Sequence, residues 1–160
     1  MRPHRCRTWA PRGQTPVLAF NFNWKKLSAA AGITFRNFYF RLYETSIRGP
    51  EVIDFLKALV RSIRGPLFIV WDRLPAHRSA LVREFLALSD GHIETEYLPG
   101  YAPELNPVEY IWAYWKQHEL PNVCPQDYWD LEARARQALR RTRKPRLIRA
   151  FWKQSSLSLD

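Results

Sequence analysis

The stretch "LFIVWDRLPAHRS", Leu67 to Ser79, decides the fold. Its first five residues are all apolar and follow Gly65-Pro66, as expected for a strand buried on both faces of a sheet. Asp72 stands directly at the end of that run. Strand ends in α/β sheets open onto the crevice where functional groups collect, so Asp72 is a candidate for chemistry. A turn-capping role is the structural alternative. The "WD" dipeptide itself carries little, because no repeat of roughly 40 residues accompanies it and a propeller blade is excluded.

On the upstream side, Val52, Phe55, Leu56, Leu59, Val60 and Ile63 recur at helical spacing after the turn signal "RGP" at Arg48 to Pro50. Earlier still, "RTWAPRGQTPVLAFNF" reads as a turn and loop feeding a strand, and Lys25 to Leu42 as two further strands broken near Gly32. Downstream, Ser79 to Ser89 is helical and Ile93 to Tyr97 is a short strand. The expected class is therefore α/β: a mixed sheet with three antiparallel strands, then parallel strands joined by right-handed helical crossovers.

The stretch "LPGYAPELNPVEYIW", Leu98 to Trp112, then crowds Pro99, Gly100, Pro103 and Pro107 ahead of a helix predicted over about Pro107 to Glu119. Asn106 suits the N-cap and Pro107 the first helical position, which puts Glu109 at N3. Its carboxylate has two rival uses. It can close a capping box onto Asn106, or join Asp72 in holding Mg²⁺, an ion satisfied by one or two carboxylates with water and phosphate at its other positions. Tyr110, Ile111, Trp112 and Trp115 follow helical spacing and read as core rather than base-stacking platforms.

A last amphipathic helix from about Gln126 buries Tyr128, Leu131, Ala135, Ala138 and Leu139. Its other face and the following residues carry Arg134, Arg136, Arg140, Arg141, Arg143, Lys144, Arg146 and Arg149, with no acid between Ala133 and Arg149. The whole chain of 160 residues has a formal charge of +10, which favours a polyanionic partner, nucleic acid above all. No run approaches the roughly 18 apolar residues of a membrane span, and the basic N-terminus lacks a signal-peptide core. Cys6 and Cys124 have no CxxC spacing, so two reduced thiols are expected in a soluble intracellular protein with no membrane partner.

The two blocks "LFIVWDRLPAHRS" and "IETEYLPGYAPELNPVEYIWAYWK", with 36 residues between Asp72 and Glu109, resemble the catalytic core of DDE transposases. The likeness is to the bacterial insertion-sequence branch of the Tc-mariner superfamily, and "APELNPVE" is its sharpest part. "RTWAPRGQTP" is similar to that family too, so the resemblance spans residues up to about 145. It implies a ribonuclease H-like fold over 1–145, a basic C-terminal tail over 146–160, and a cytoplasmic, nucleoid-associated protein. It also implies an activity: cutting and joining transposon-end DNA with two Mg²⁺ or Mn²⁺ ions held by three acids, of which Asp72 and Glu109 match the second and third.

The family's first aspartate lies on its first strand, upstream of "RTWAPRGQTP", whereas no acid precedes Glu44 here. Glu44 and Asp54 are poor substitutes by position. The expectations are a domain lacking that strand and little activity from this chain alone, with the missing N-terminal half or a second copy as partner. The alternative is a non-catalytic basic DNA-binding or oligomerisation remnant. Arg73 stands where the family commonly has Asn, and could contact DNA phosphate or pair with Asp72. His77 matches a family position near the site, or packs structurally. With Lys116, Arg134, Arg140, Arg141, Arg143 and Lys144, these residues are the expected DNA contacts, mostly to phosphate.

Overall fold

The computed structural model describes residues 9–17, 27–155 and 157. Strands β1 (Ser28–Ile33) and β2 (Phe38–Tyr43) form an antiparallel hairpin in which Ser28 faces Tyr43 and Ile33 faces Phe38. The break between them falls at Thr34 to Asn37, where the Thr34 hydroxyl accepts from Asn37 N–H at 3.0 Å, rather than at Gly32 inside β1. A turn at Pro11 to Gln14 precedes them. The strand expected after it falls on residues outside the described ones.

Helix α1 (Gly49–Ser62) follows, its start fixed by Glu51 Oε2 accepting from Arg48 N–H at 2.9 Å and by Pro50 in the first turn. Gly49 cannot be replaced cheaply, since a Cβ there would lie 2.9 Å from Ser79 Oγ. After Gly65, at φ +89°, the chain enters β3 (Leu67–Trp71), crosses through α2 (Ala80–Ala87) and returns as β4 (Ile93–Tyr97). β3 and β4 are parallel, with Leu67 facing Ile93 and Trp71 facing Tyr97. This is the crossover that the strand–helix–strand order predicts.

Among the described residues two clusters make the core. Val52, Leu56 and Leu59 of α1 and Val82 of α2 pack on Leu67, Trp71 and Ile93. The second cluster joins Phe38 to three C-terminal helices: α3 (Pro107–Tyr114), α4 (Tyr128–Arg141) and α5 (Pro145–Gln154). It contains Ile111, Trp115, Leu131, Leu139, Ile148 and Phe151.

Among the described residues the strands form two two-stranded sheets, and the strand expected after the Pro11–Gln14 turn lies outside them. Three expectations change. β3 is not buried on both faces: α1 and α2 cover the side of Leu67 and Trp71, while Phe68 is 68% and Val70 50% exposed on the other. The stretch read as a basic tail is, over its described part, α5, an amphipathic helix whose Ile148 and Phe151 belong to the core. The last predicted α3 turn is also wider than α-helical. Trp115–Glu119 is a π-helix, closed by Leu120 N–H donating to Trp115 C=O at 3.0 Å.

Candidate functional site

Parallel pairing puts the carboxyl ends of β3 and β4 side by side, and the ladder continues one step further, with Leu98 N–H donating to Trp71 C=O at 2.8 Å. The two exits therefore diverge from a common point. A cleft of about 190 Å³ opens there, lined by Asp72 and Arg73 after β3, by Leu98 to Pro103 after β4, and by Asn106 and Glu109. Asp72 and Glu109, far apart in sequence, thus share one small cavity.

Asp72 is held from two sides. Its Oδ1 accepts from Leu74 N–H at 3.1 Å and lies 2.9 Å from His77 Nδ1. The His77 ring stacks on Trp71 at 4.6 Å and 7°, so it has little freedom. The hydrogen bond from His77, joined by that from Leu74, holds the Asp72 carboxyl below the usual value despite partial burial, which opposes the shift. Asp72 thus does cap its turn through Oδ1, the structural role weighed above, while Oδ2 takes no part in these contacts.

Glu109 is exposed, and its carboxylate has no hydrogen bond or ion pair among the described residues. The capping box is not formed. Asn106 Oδ1 caps α3 by accepting from Val108 N–H at 3.1 Å, while Asn106 N–H already donates to Pro103 C=O at 3.0 Å in the 3₁₀ turn Pro103–Leu105. The donor that a capping box needs is occupied.

Arg73 does not pair with Asp72 among the described residues. Its Nε donates to Leu98 C=O at 3.2 Å, tying the two strand exits together. Asp54 lies outside the cleft lining and is engaged by Arg41 at 2.9 Å and the Tyr43 hydroxyl at 2.8 Å.

The basic residues divide into two kinds. Arg134 pairs with Asp130 at 2.7 Å, Arg136 with Glu132, and Arg141 with Glu119 at 3.3 Å. The cations read as unopposed are thus partly matched by acids just outside that window. Arg143 Nε donates to Phe38 C=O at 3.0 Å, and its guanidinium lies 5.2 Å over the Phe40 ring. By contrast Lys116, Arg140, Lys144, Arg146 and Arg149 are exposed, and their side chains make no ion pair or hydrogen bond among the described residues.

Trp115 is 1% exposed and stands in the core, not in a binding face. One cleft residue that the sequence reading passed over is Tyr101, fully exposed at φ +57°. The available signal was an aromatic set between Gly100 and Pro103, in a segment otherwise made of turn residues. No helix among the described residues is long and apolar enough to cross a membrane.

The model of the DDE superfamily endonuclease family matches residues 1–131. No curated protein matches the sequence. Among solved structures, the Mos1 mariner paired end complex with Mn aligns at a TM-score of 0.72 and 18% identity, over 98% of this chain and 49% of that one. The Mos1 strand transfer complex aligns at 0.68 and 19%, over 97% and 48%. The catalytic domain of Mos1 mariner transposase aligns at 0.64 and 17%, over 86% and 71%. The mixed α/β, ribonuclease H-like fold is shared with these structures, and the chain spans about half the length of the Mos1 chains in the two complexes.

Proposed function

This chain belongs to the DDE superfamily endonuclease family, and from that premise we propose that it is the catalytic-core portion of a DNA transposase, cutting and joining DNA at transposon ends. The observation that carries the reading is the convergence of Asp72 and Glu109 on one cleft at the strand exits. Their donor chemistry suits a divalent cation such as Mg²⁺ or Mn²⁺. Glu109 has both oxygens uncommitted and Asp72 keeps Oδ2, so two hard oxygen ligands remain, with the other positions open to water and phosphate. When bound, two such ions supply charge stabilisation at the attacking and leaving oxygens of an in-line phosphoryl displacement.

The protein's own residues do the rest. Leu74 N–H and His77 Nδ1 fix the orientation of Asp72, and the rigid 98–107 segment fixes where Glu109 begins its helix. Arg73, its Nε held by Leu98, leaves its terminal nitrogens for a DNA phosphate. Lys116, Arg140, Lys144, Arg146 and Arg149 provide a phosphate-binding surface without base readout.

No cluster of three metal-ligating side chains exists among the described residues. We expect two carboxylates alone to support little strand transfer, and propose a segment carrying a third acid as a partner. A second copy is the other partner we propose. The non-catalytic remnant is favoured by one observation, the use of Asp72 Oδ1 as a turn cap.

Mn²⁺ binding followed by electron paramagnetic resonance separates the two. The wild type binds, while Asp72→Asn and Glu109→Gln each weaken binding at least tenfold and leave the fold unchanged. Unaltered Mn²⁺ affinity in both variants would sink the metal-site reading. Mn²⁺-dependent DNA nicking by the wild type that disappears in both variants would overturn the expected inactivity.

A further inference from the structure

Tyr101 combines three properties that packing does not explain. It is fully exposed, its backbone sits at φ +57°, and it lines the same cleft as Asp72, Arg73 and Glu109. Full exposure means that the ring contributes essentially no apolar burial to the fold. A positive φ is unfavourable for an aromatic residue, and Gly or Asn would sit there more comfortably. Residues held in this way by their surroundings cluster at active sites and ligand clamps. The constraints that impose the positive φ are visible: Pro99-Gly100 precedes Tyr101, and Ala102 C=O accepts from Leu105 N–H at 3.2 Å just after it.

We propose that Tyr101 is a stacking platform for one unpaired nucleobase at the mouth of the cleft, next to the phosphate that Arg73 and the two carboxylates face. This rests on the DNA-cutting reading above and adds a contact to the base rather than to the backbone. The chemistry is general. Every base has a π-face, so an exposed phenol ring accepts any of them, and stacking requires the base to leave its duplex partner first. The cleft, about 190 Å³ and open to solvent, leaves the ring accessible to a base at its mouth. The strands flanking the cleft are pinned together by Arg73, so the ring stands on a rigid base. Other exposed aromatics, such as Trp129, lie outside this cleft.

The test uses the 160-residue chain with two probes: a short single strand carrying one 2-aminopurine, and a blunt duplex of the same length. Tyr101→Phe should keep single-strand affinity and 2-aminopurine quenching, because the ring stacks without its hydroxyl. Tyr101→Ala and Tyr101→Gly should lose the quenching and weaken single-strand binding by roughly 5- to 150-fold. Duplex affinity, set by phosphate contacts, should be unchanged in all three. The glycine variant should show a melting temperature equal to or above wild type, since it relieves the strain, which separates a lost contact from a damaged fold. Wild-type quenching and affinity in both Tyr101→Ala and Tyr101→Gly would overturn the stacking role, as would equal losses on both probes. Failure of the wild type to bind either probe at low salt would overturn the DNA reading itself.

Discussion

Arg143 and Arg140 are three residues apart, both exposed and both cationic, yet the structure gives them opposite jobs. Arg143 reaches back across 105 positions to donate Nε–H to Phe38 C=O at 3.0 Å, and covers the Phe40 ring at 5.2 Å. A hydrogen bond from a charged donor contributes about 1.5–3 kcal/mol, and an exposed cation–π contact about 0.5–1 kcal/mol. Taking the low end of each because Arg143 is solvent-exposed, Arg143→Ala should destabilise the fold by about 1.5–2 kcal/mol. Arg140 has no such partner among the described residues, so Arg140→Ala should stay within about 0.5 kcal/mol of wild type. Urea denaturation reads the first effect as a midpoint lowered by roughly 1 M at unchanged slope. Salt titration of DNA affinity between about 50 and 200 mM reads the second: Arg140→Ala should reduce the slope of log affinity against log salt by about 0.9, and Arg143→Ala should leave it alone. An exchange of the two effects, with Arg143→Ala keeping its midpoint while losing a phosphate's share of the slope, would refute this division of roles.

Asp72 makes folding pH-dependent in a definite direction. Its carboxyl is held below the ordinary 3.8 by His77 first and Leu74 next, so the stabilisation is fully present above that value and lost as pH falls through the folded-state value. Asp72→Asn should therefore be less stable than wild type at neutral pH, by under about 1 kcal/mol for a side chain 39% exposed, and the two should converge in acid. A stability gap that widens below pH 4 would contradict this. Ile111, at 0% exposure between α3 and the hairpin, should lose about 2–5 kcal/mol as Ile111→Ala. Thermal unfolding would then show a drop on the order of 5–20 °C; a drop below about 3 °C would mean that this second cluster does not hold the helices.

What the sequence discloses here is what local spacing can encode. The 3.6-residue period over Val52 to Ile63 marks α1, and the five apolar residues at Leu67 mark β3, because both signals lie within a dozen residues. Partners beyond that range leave no local trace. The apolar run could not say that only one face of β3 would be covered, since that depends on where α1 and α2 pack. The i,i+4 pairs of Asp130 with Arg134 and Glu132 with Arg136 are within local reach, hidden only by a window that starts at Ala133, whereas Glu119 meeting Arg141 from another helix leaves no local trace. The 146–160 segment looked like a tail because its charges are dense. Its apolar members Ile148 and Phe151, three apart on one face, were the overlooked sign of α5.

Glu109 shows how a local motif is decided by a neighbouring turn. Glu51 and Glu109 both occupy the third position of a helix with proline in its first turn, so both are equally placed for a capping box. At α1 the box half closes, because Arg48 N–H has no competing acceptor and donates to Glu51 Oε2 at 2.9 Å. That hydrogen bond is the largest reason why the Glu51 carboxyl is held below its usual range. At α3 the equivalent donor, Asn106 N–H, is consumed 3.0 Å away by Pro103 C=O in the 3₁₀ turn that the prolines enforce. Asn106 takes over the cap with its own side chain, and the glutamate is left facing the cleft without a partner among the described residues. The proline-rich segment thus places Glu109 and also occupies the Asn106 N–H that a capping box would have given it. If this is the reason for the segment, Pro103→Ala should loosen the turn, let Glu109 close onto Asn106 N–H, and weaken Mn²⁺ binding without any change to a cleft carboxylate. Unchanged Mn²⁺ affinity in that variant would show that the turn shapes the loop and nothing more.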